Sequence, residues 1–471
     1  MNIGRYLNTW NVILVLVFIV LFFAVLYPVL YIFKASFMDP ETGVFSLNSY
    51  QTFFKYPYYL RCLRNSLFVS ALAAGFALVI GIPFAFFLSR YDLPGKDIIK
   101  TLGTLPLVTP AILSGALVVF YLSIENFGVP ILIGEDFRVL SVQAYNEFIS
   151  EMGGNPSMAG ALSMILLSLT LLLTVVQKYW TERKTYATTS VQRTAVKRLS
   201  LLPTVLIRIF CAGLVFIALF PFLVVVVAAF TKAHGPVMYY GQFTLDHFIK
   251  AFTIAPRPIL NSFFLATAAT LIGIVFGLVV SYLLVRQRGT VSYLLDVLTM
   301  LPLAIAGTVQ GIALAVAYNK GLVVLTGTWM ILVLAYFIRK VPFSIKTTSA
   351  LLRQIDRNIE DASVNLGVPP FRSFLKVILP VMMPGIVAGA IIMWVTTLAE
   401  LSSTIVLYYG PWATMTVEIF QRINSGDFGP ASAFATVLIV SVLIPLFILH
   451  KLLGRDLTTA LYRGVDGDRS G

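Results

Sequence analysis

Residues 261–285 read NSFFLATAATLIGIVFGLVVSYLLV, a run of apolar and small residues without a charged side chain. A helix needs about 20 mostly apolar residues to cross the hydrocarbon core of a bilayer, so this run predicts a membrane-spanning helix. Ten such runs predict spans: Asn11–Phe33, Asn65–Ser89, Thr101–Ile124, Leu162–Val176, Ile209–Phe230, Asn261–Val285, Leu298–Ala317, Val323–Ile338, Val381–Leu398 and Thr436–Leu449. We therefore expect an all-α, polytopic bundle of membrane helices.

The connections between the predicted spans differ in charge. Basic residues concentrate in four of them: Arg90–Lys100, Lys178–Arg198, Arg286–Asp296 and Arg339–Lys376. The connection Ser123–Asn155 instead carries five acids against one cation. Loops rich in Lys and Arg face the cytoplasm, and ten spans place all four basic connections there, with both termini inside. The net charge of +13 then reflects orientation, and we expect the bilayer rather than nucleic acid as its partner.

The cysteines and histidines give no sign of a disulfide framework or a metal site. Cys62 and Cys211 lie far apart in the sequence, and both are expected to pack as small apolar side chains. The three histidines are scattered and lack the short spacing of metal ligands. We expect no metal and no cofactor. The first apolar run exceeds the ~7–15 residues of a signal-peptide core, so it is expected to be retained.

An internal repeat divides the chain into two homologous halves. Asn65-Ser66 recurs as Asn261-Ser262 at an offset of 196 (261 − 65), and Leu105-Pro106-Leu107 recurs as Leu301-Pro302-Leu303 at the same offset. Further matches keep this register without a gap: Phe68/Phe264, Gly81/Gly277, Leu88/Leu284 and Arg90/Arg286. Repeats of this kind are common in transporters.

The offset of the repeat changes further along the chain. Glu125 aligns with Glu400, and Leu140-Ser141-Val142 aligns with Met415-Thr416-Val417, at an offset of 275 (400 − 125). The first half thus lacks about 79 residues (275 − 196) that the second half has, roughly between positions 317 and 396. Two explanations stay open, a naturally asymmetric protein or an ancestral deletion. We expect about four spans in a first half, residues 1–178, a basic cytoplasmic linker, 179–203, and six spans in a second half, 204–471.

The longest basic connection of the second half contains an amphipathic helix followed by a turn. Its apolar residues recur every three or four positions, as one stripe on a helix requires: Leu352, Ile355, Ile359, Ala362 and Leu366. Gly367 predicts the end of this helix, and Pro369-Pro370 prevents its continuation. A second short helix precedes Pro380. Such a hairpin either docks on a partner protein or lies on the lipid surface.

This connection resembles the EAA motif of the permease subunits of binding-protein-dependent ABC importers. In that motif an acidic-Ala-Ala triplet is followed by a glycine and then by an Ile-x-Leu-Pro ending. Here the triplet is Asp361-Ala362-Ser363, the glycine is Gly367 and the ending is Val377-Ile378-Leu379-Pro380. The resemblance implies a MetI-like permease fold in the bacterial inner membrane. It also implies two partners, a separate ATP-binding subunit and a periplasmic solute-binding protein.

The resemblance assigns ATPase coupling to the loop 345–380, with these residues: Glu360, Asp361, Ala362, Ser363, Gly367, Leu379 and Pro380. Two halves fused in one chain look most like ferric-iron permeases, and related fused permeases serve phosphonates, polyamines or thiamine. The first half departs from the family because it has no EAA loop. Either one ATPase docks differently, on the connection Arg90–Lys100, or the chain is impaired.

No phosphate-binding loop of the form G-x-x-x-x-G-K-[ST] occurs in the sequence, so we expect a translocation subunit rather than an enzyme. Polar residues in or beside the spans are candidates for the translocation pathway: Gln310, Glu400 and Glu125. The alternative for Gln310 is a hydrogen bond between helices, and for the glutamates a cap or an interfacial position.

One rival function is transport driven by an ion gradient. It predicts buried acids or histidines at mid-membrane, which are almost absent from the predicted spans. A non-transporting scaffold is the other rival.

Overall fold

The computed structural model describes residues 3–39, 42–90, 110–150, 154–183, 200–286, 289–320 and 323–466. Their regular structure is helical except for one antiparallel pair of strands, Thr231–His234 (β1) and Val237–Phe243 (β2), and a single bridge between Met38 and Phe45. The predicted all-α class is thus confirmed. Most of the predicted linker 179–203 and of the connection 90–100 lies outside the described residues, as do residues 105–107.

The chain divides into two compact units. The first unit comprises Ala35–Phe248 and Ile423–Ala433, and the second comprises Met1–Lys34, Ile249–Arg422 and Phe434–Gly471. The helix Ile3–Leu21 (α1) therefore belongs by its contacts to the second unit, although the sequence assigns it to the first half, residues 1–178.

The first unit is built around a long membrane helix and its neighbours. Cys62 and Cys211 are both buried in it, as expected of small apolar side chains, and Cys211 packs against Phe84 and Phe87. Its helices are Tyr27–Ser36 (α2, which begins in the second unit), Asn48–Lys55 (α3), Pro57–Arg90 (α4), Pro110–Ile124 (α5), Gly128–Ile133 (α6), Leu140–Ile149 (α7), Pro156–Arg183 (α8) and Leu201–Ala229 (α9).

The second unit contains α1 and, after a π-helical turn at Phe22–Leu26, the start of α2. Its other helices are Asp246–Thr253 (α10, which begins in the first unit), Arg257–Arg286 (α11), Thr290–Met300 (α12), Gly307–Ala317 (α13), Trp329–Leu352 (α14), Arg357–Asn365 (α15), Pro370–Ser373 (α16), Leu379–Leu398 (α17), Thr404–Leu407 (α18), Met415–Asn424 (α19) and Phe428–Asp466 (α20, which begins in the first unit). Shorter turns are the 3₁₀ segments Leu301–Ala304 and Gly410–Trp412 and the π segment Phe374–Ile378.

Seven of the ten predicted spans are confirmed. Each overlaps a helical segment long and apolar enough to cross a membrane, and among the described residues these segments are Trp10–Ser36, Pro57–Phe87, Pro156–Val176, Leu202–Ala229, Arg257–Arg286, Phe371–Leu398 and Phe428–Leu449. Most of their surface is apolar and exposed in the isolated chain, which is the pattern expected of helices that face lipid.

Two of the remaining spans differ from their predictions, and the third is only partly described. The run Leu298–Ala317 is not one straight helix, because it bends by 105° between Ala304 and Gly307, next to Pro302, which cannot donate a backbone hydrogen bond. The run Val323–Ile338 corresponds to α14, which begins later and ends later than predicted. It begins only after Gly327, whose φ of +84° is not helical, and continues to residue 352. For Thr101–Ile124 the structure describes only residues 110–124.

The Asn-Ser dipeptide of the first half joins the start of α4 to the start of α7. The side-chain amide of Asn65 donates to the carbonyl of Arg138 at 3.1 Å. The hydroxyl of Ser66 accepts from the backbone amide of Leu140 at 2.8 Å. These two bonds thus tie together the N-terminal parts of two helices, through residues that are 74 positions apart in sequence (140 − 66).

The Asn-Ser dipeptide of the second half makes the same pair of bonds. The amide of Asn261 donates to the carbonyl of Ala413 at 2.8 Å, and the hydroxyl of Ser262 accepts from the amide of Met415 at 2.8 Å. The dipeptides differ in position by 196 and their partners by 275 (413 − 138 and 415 − 140), the two offsets of the repeat. The Asn-Ser dipeptide therefore holds the start of a later helix in the same way in both halves, although 79 more residues separate the dipeptide from that helix in the second half.

Candidate functional site

The predicted coupling loop folds as a helical hairpin, by which we mean residues 352–380. Helix α15 begins after Asp356, whose side chain accepts a hydrogen bond from the backbone amide of Asn358 at 3.0 Å. This N-cap separates α15 from α14. The single amphipathic helix predicted from Leu352 to Leu366 is therefore wrong in its first turn, since Leu352 is the buried last residue of α14.

The helical hairpin turns at Gly367, and the predicted helix end is confirmed. The φ of Gly367 is +89°, its amide donates to the carbonyl of Val364 at 2.9 Å, and the amide of Val368 donates to the carbonyl of Ser363 at 3.2 Å. This pair of bonds is a Schellman motif, whose left-handed residue is usually glycine. The turn is thus set by the sequence itself.

The return arm of the helical hairpin is continuous with a membrane span. It passes from α16 through the π turn into α17, whose first two residues are Leu379 and Pro380. Phe374 and Ile378 are buried, whereas Phe371 and Leu375 are exposed. A displacement of the hairpin would therefore be transmitted directly to the span Phe371–Leu398.

Three large apolar residues of α15 and its C-terminal turn are exposed. Leu366 is 87% exposed, Ile359 47% and Val364 36%. Asp361, Ala362 and Gly367 of the predicted coupling residues lie on the exposed surface as well, and Ser363 is half-buried. An exposed cluster of large apolar residues indicates a contact surface.

Glu360, which the sequence groups with the exposed coupling residues, points inward instead. Its side chain is buried, accepts a hydrogen bond from the hydroxyl of Tyr282 and pairs with Arg286 at 2.9 Å between Nε and Oε2. Tyr282 and Arg286 are four residues apart on α11, so they lie on one face of that helix. Glu360 therefore anchors α15 to α11.

A second buried ion cluster lies around Glu400, in the connection after α17. The Glu400 carboxylate accepts from Arg339 Nε at 3.1 Å and from Lys340 Nζ at 2.6 Å. Burial raises the pKa of Glu400, but the charges of Lys340 and Arg339 outweigh burial and lower its pKa to about 2, so it stays ionised. The sequence counted Arg339 and Lys340 among the cytoplasmic loop cations. That interpretation is wrong, because both are largely buried in the middle of α14.

The Glu400 cluster also fixes the break between α12 and α13. Arg339 Nη1 donates to the carbonyl of Ile305 at 2.8 Å. A Cβ placed on Gly307 would lie 2.6 Å from Ser402 Cβ and 3.2 Å from Glu400 Oε1. The hydroxyl of Thr404 donates to the backbone carbonyl of Glu400 at 2.8 Å. Three separate segments thus meet at one carboxylate.

Gln310 makes the interhelical bond that the sequence left open as an alternative. Its side-chain amide is buried and donates to the carbonyl of Ala335 at 3.0 Å, which joins α13 to α14. Its Oε1 atom has no hydrogen-bond partner within the described chain. Gln310 and Glu400 both contact α14, so the structure brings two of the three pathway candidates to one helix.

Glu125, the third pathway candidate, follows α5 in the first unit and is buried, with 8% of its surface exposed. Its counterpart Glu400 is neutralised by Arg339 and Lys340, and both of these cations lie in the stretch that the first half lacks. In the alignment of the repeat, Glu125 matches Glu400, whereas Arg339 and Lys340 fall in the stretch 317–396, to which no described residue of the first half aligns.

A surface cavity of about 720 Å³ lies at the opposite end of α11 from the helical hairpin. Residues Thr253–Pro258, Asn261, Gly410, Pro411, Ala413 and Glu418 line it. The amide of Asn261 also donates to the carbonyl of Pro411 at 2.8 Å, so the repeat dipeptide shapes its wall. In the described parts of the chain, no three His, Cys, Asp or Glu side chains are grouped to hold a metal ion.

Comparison with known proteins agrees with these features. Residues 269–459, from α11 through the helical hairpin to α20, match the family described as binding-protein-dependent transport system inner membrane component. The ferric transport system permease protein FbpB of Actinobacillus pleuropneumoniae is 25% identical over 364 residues, which cover 74% of this chain and 51% of that protein. The chain spans about half the length of the ferric permeases that it matches.

Two shorter relatives are covered more completely. A putative 2-aminoethylphosphonate transport system permease protein of Salmonella paratyphi A is 28% identical over 248 residues, or 52% of this chain and 93% of that protein. The sulfate transport system permease protein CysT of Escherichia coli is 30% identical over 203 residues, or 40% of this chain and 73% of that protein. With its membrane helices and matched second half, the chain belongs to the family of binding-protein-dependent transport system inner membrane components.

Proposed function

We propose that this chain is the permease subunit of an ATP-driven, binding-protein-dependent importer, and that a separate ATP-binding subunit docks on the helical hairpin. One observation carries the proposal. Ile359 and Leu366, seven residues apart at the two ends of α15, are exposed on one side of the helix, while Glu360, on another side, is held by Arg286. A rigidly held apolar patch suits a docking surface that transmits displacement.

The lipid surface is the alternative contact for this patch, and charge disfavours it. Helices that lie on a bilayer carry Lys and Arg on their polar face, because the inner leaflet is negatively charged. Helix α15 is only nine residues long, and Asp361 is an acid on its exposed surface. With one arginine, Arg357, against Glu360 and Asp361, α15 lacks that excess of basic residues, so a protein groove fits it better than an anionic membrane does.

The cavity beside Asn261 supports a second partner on the other side of the membrane. Helix α11 has 30 residues between Arg257 at the cavity and Arg286 at the hairpin, a length of about 45 Å at 1.5 Å per residue. We assign the outer loops, Gly128–Glu151 and Tyr408–Gly429, to the docking of a periplasmic solute-binding protein. ATP-driven displacement of the hairpin would then shift the chain between two states.

Replacing Leu366 with Asp should abolish ATPase docking. Leu366 is the most exposed apolar residue of the patch, and burying an unpaired carboxylate in an interface costs several kcal/mol. We expect at least about a hundredfold weaker binding to the ATP-binding subunit, equal to ~2.7 kcal/mol.

The matched control is Phe243→Asp, because Phe243 on β2 is 82% exposed and lies in the connection between the spans Ile209–Phe230 and Asn261–Val285, which the ten-span topology places in the periplasm. This variant should bind the ATP-binding subunit as the unaltered chain does. Equal binding by the Leu366 and Phe243 variants would remove the hairpin from the interface. Loss of folding is detected separately, by size-exclusion chromatography of each variant in detergent.

Ferric iron is the cargo that we propose first. Its support is the ferric permease relative, whose match covers 74% of the chain. An oxyanion is the second candidate, because two buried cations, Arg339 and Lys340, face one carboxylate and a sulfate permease is 30% identical over 203 residues. Phosphonate is one such oxyanion.

Uptake by membrane vesicles that contain the chain, its ATP-binding subunit and its binding protein separates the cargo classes. Ferric iron is supported as the cargo if radiolabelled iron accumulates in an ATP-dependent way and excess sulfate or 2-aminoethylphosphonate does not change that accumulation. Competition by either anion supports the oxyanion. The absence of ATP-dependent accumulation of iron, sulfate, phosphonate, polyamine and thiamine would support the non-transporting scaffold.

A further inference from the structure

We propose that the N-terminal helix α1 is a positioning element of the helical hairpin, held to it through Trp10, so that hairpin and helix move as one body. The proposal rests on the function proposed above, because it concerns how the docking surface is held. It also concerns the half of the repeat that lacks a coupling loop. Helix α1 lies in that half by sequence and continues through the π turn into α2.

Trp10 lies in an aromatic cluster at the base of the helical hairpin. Its ring stacks on that of Tyr282 with a centroid distance of 4.4 Å and an interplanar angle of 26°. It meets the ring of Phe374 edge-on at 6.0 Å and that of Phe371 at 6.1 Å. Phe374 and Phe371 belong to the return arm, so α1 touches the hairpin directly.

The cluster reaches α15 through Tyr282. The Tyr282 ring packs edge-on against Phe374 at 4.7 Å, and its hydroxyl donates to the buried carboxylate of Glu360. Trp10, Tyr282 and Glu360 therefore form a continuous chain of contacts from α1 to the docking helix. A shift of α15 that moved Glu360 would displace the ring on which Trp10 is stacked.

The far end of α1 is held at a second point. The hydroxyl of Tyr318 donates to the carbonyl of Phe23 in the π turn at 2.7 Å, and the Tyr318 ring lies 5.7 Å from that of Tyr27. A π turn is a common site of local adjustment within a helix. With this end fixed, a displacement at Trp10 would tilt α1 rather than slide it.

The first test measures the hairpin after a change in α1. In the full chain, reconstituted in lipid nanodiscs, Trp10→Ala should speed amide hydrogen exchange of residues 357–368 about tenfold, the factor that corresponds to ~1.4 kcal/mol and to the upper range of aromatic pair energies. Trp10→Phe should restore slow exchange, because a second aromatic ring keeps the stack. The matched control is Trp394→Ala, which removes a ring packed on Phe263 within the same unit.

The second test measures α1 after a change in the hairpin, since coupling between two sites is reciprocal. A chain whose other four tryptophans are phenylalanine reports Trp10 fluorescence alone. Glu360→Ala should shift its emission to longer wavelength and increase quenching by acrylamide. Asp361→Ala, on the exposed side of the same helix, should change neither.

Unchanged exchange in Trp10→Ala, or unchanged Trp10 emission in Glu360→Ala, would overturn the positioning role. Neither measurement uses the ATP-binding subunit. If Leu366→Asp leaves ATPase binding intact while both coupling effects are seen, the proposed function fails and the mechanical link stands. If Leu366→Asp abolishes binding while both effects are absent, the link fails and the proposed function stands.

Discussion

Replacing Glu400 with alanine is expected to destabilise the chain by about 3–5 kcal/mol, because it leaves buried cations without a partner. The carboxylate pairs with Arg339 and Lys340 at 3.1 and 2.6 Å, and the three side chains are only 5–12% exposed. The break between α12 and α13 should loosen as well, since Arg339 also holds the carbonyl of Ile305. Thermal unfolding in detergent measures the loss.

Two further variants make this test specific. Glu418→Ala removes a more exposed carboxylate, whose i,i+4 pair with Arg422 should contribute only about 0.3–0.5 kcal/mol. Replacing the whole cluster with apolar residues, as Arg339→Met, Lys340→Met and Glu400→Leu together, should recover most of the stability, because no buried charge is left unpaired. Equal unfolding temperatures for Glu400→Ala and Glu418→Ala would show that the buried cluster contributes no more than the less buried pair of Glu418 and Arg422.

Replacing Gly277 with leucine should destabilise the second unit, whereas the same change at Gly81 should be tolerated. A Cβ on Gly277 would lie 2.5 Å from Ser344 Oγ and 3.0 Å from Ser344 Cβ, so α11 and α14 would be forced apart, at a cost of about 1–3 kcal/mol or more. Small residues allow such close helix packing in membranes.

Gly81 is the repeat counterpart of Gly277 and serves as its matched control. Nothing in the described chain lies within 4 Å of a Cβ at Gly81, and Ser344 belongs to the stretch that the first half lacks. Leucine favours helix over glycine, so Gly81→Leu should leave the unfolding temperature unchanged or raise it. A similar loss in both variants would contradict the different packing of these two glycines.

The membrane spans and the repeat could be predicted from the sequence, because each depends on local composition or on fixed spacing. Gly367 was predicted correctly because a helix end has a local signature, a glycine before paired prolines. Asp356 shows the limit of such local signals. The apolar stripe continued through it, but an aspartate whose side chain caps the next helix ends the stripe there.

Residues whose roles depend on distant partners were missed or misplaced. Arg339 and Lys340 were read as loop cations because their counterion, Glu400, is 60 or more residues away (400 − 340). Glu360 was grouped with Asp361 as a coupling residue, because Tyr282, which binds its carboxylate, lies 78 residues before it. Two sequence features could have indicated a partner for Glu360. Tyr282 and Arg286 are four residues apart, and Arg286 matches Arg90 in the repeat. No sequence feature indicated the role of Trp10, because its ring partners, Tyr282, Phe371 and Phe374, are far from it in the sequence.

Cysteine cross-linking at position 366 tests the docking of the helical hairpin most directly. Leu366→Cys is introduced into a chain whose Cys62 and Cys211 are replaced by alanine, and the chain is co-expressed with its ATP-binding subunit. We predict that a short bifunctional reagent joins residue 366 to that subunit. A membrane-impermeant maleimide should label residue 366 only from the cytoplasmic side. Phe243→Cys should not be cross-linked to the subunit and should be labelled only from the periplasmic side. Labelling of residue 366 from the periplasmic side, or cross-linking to the ATP-binding subunit at residue 243 but not at 366, would contradict the proposed function.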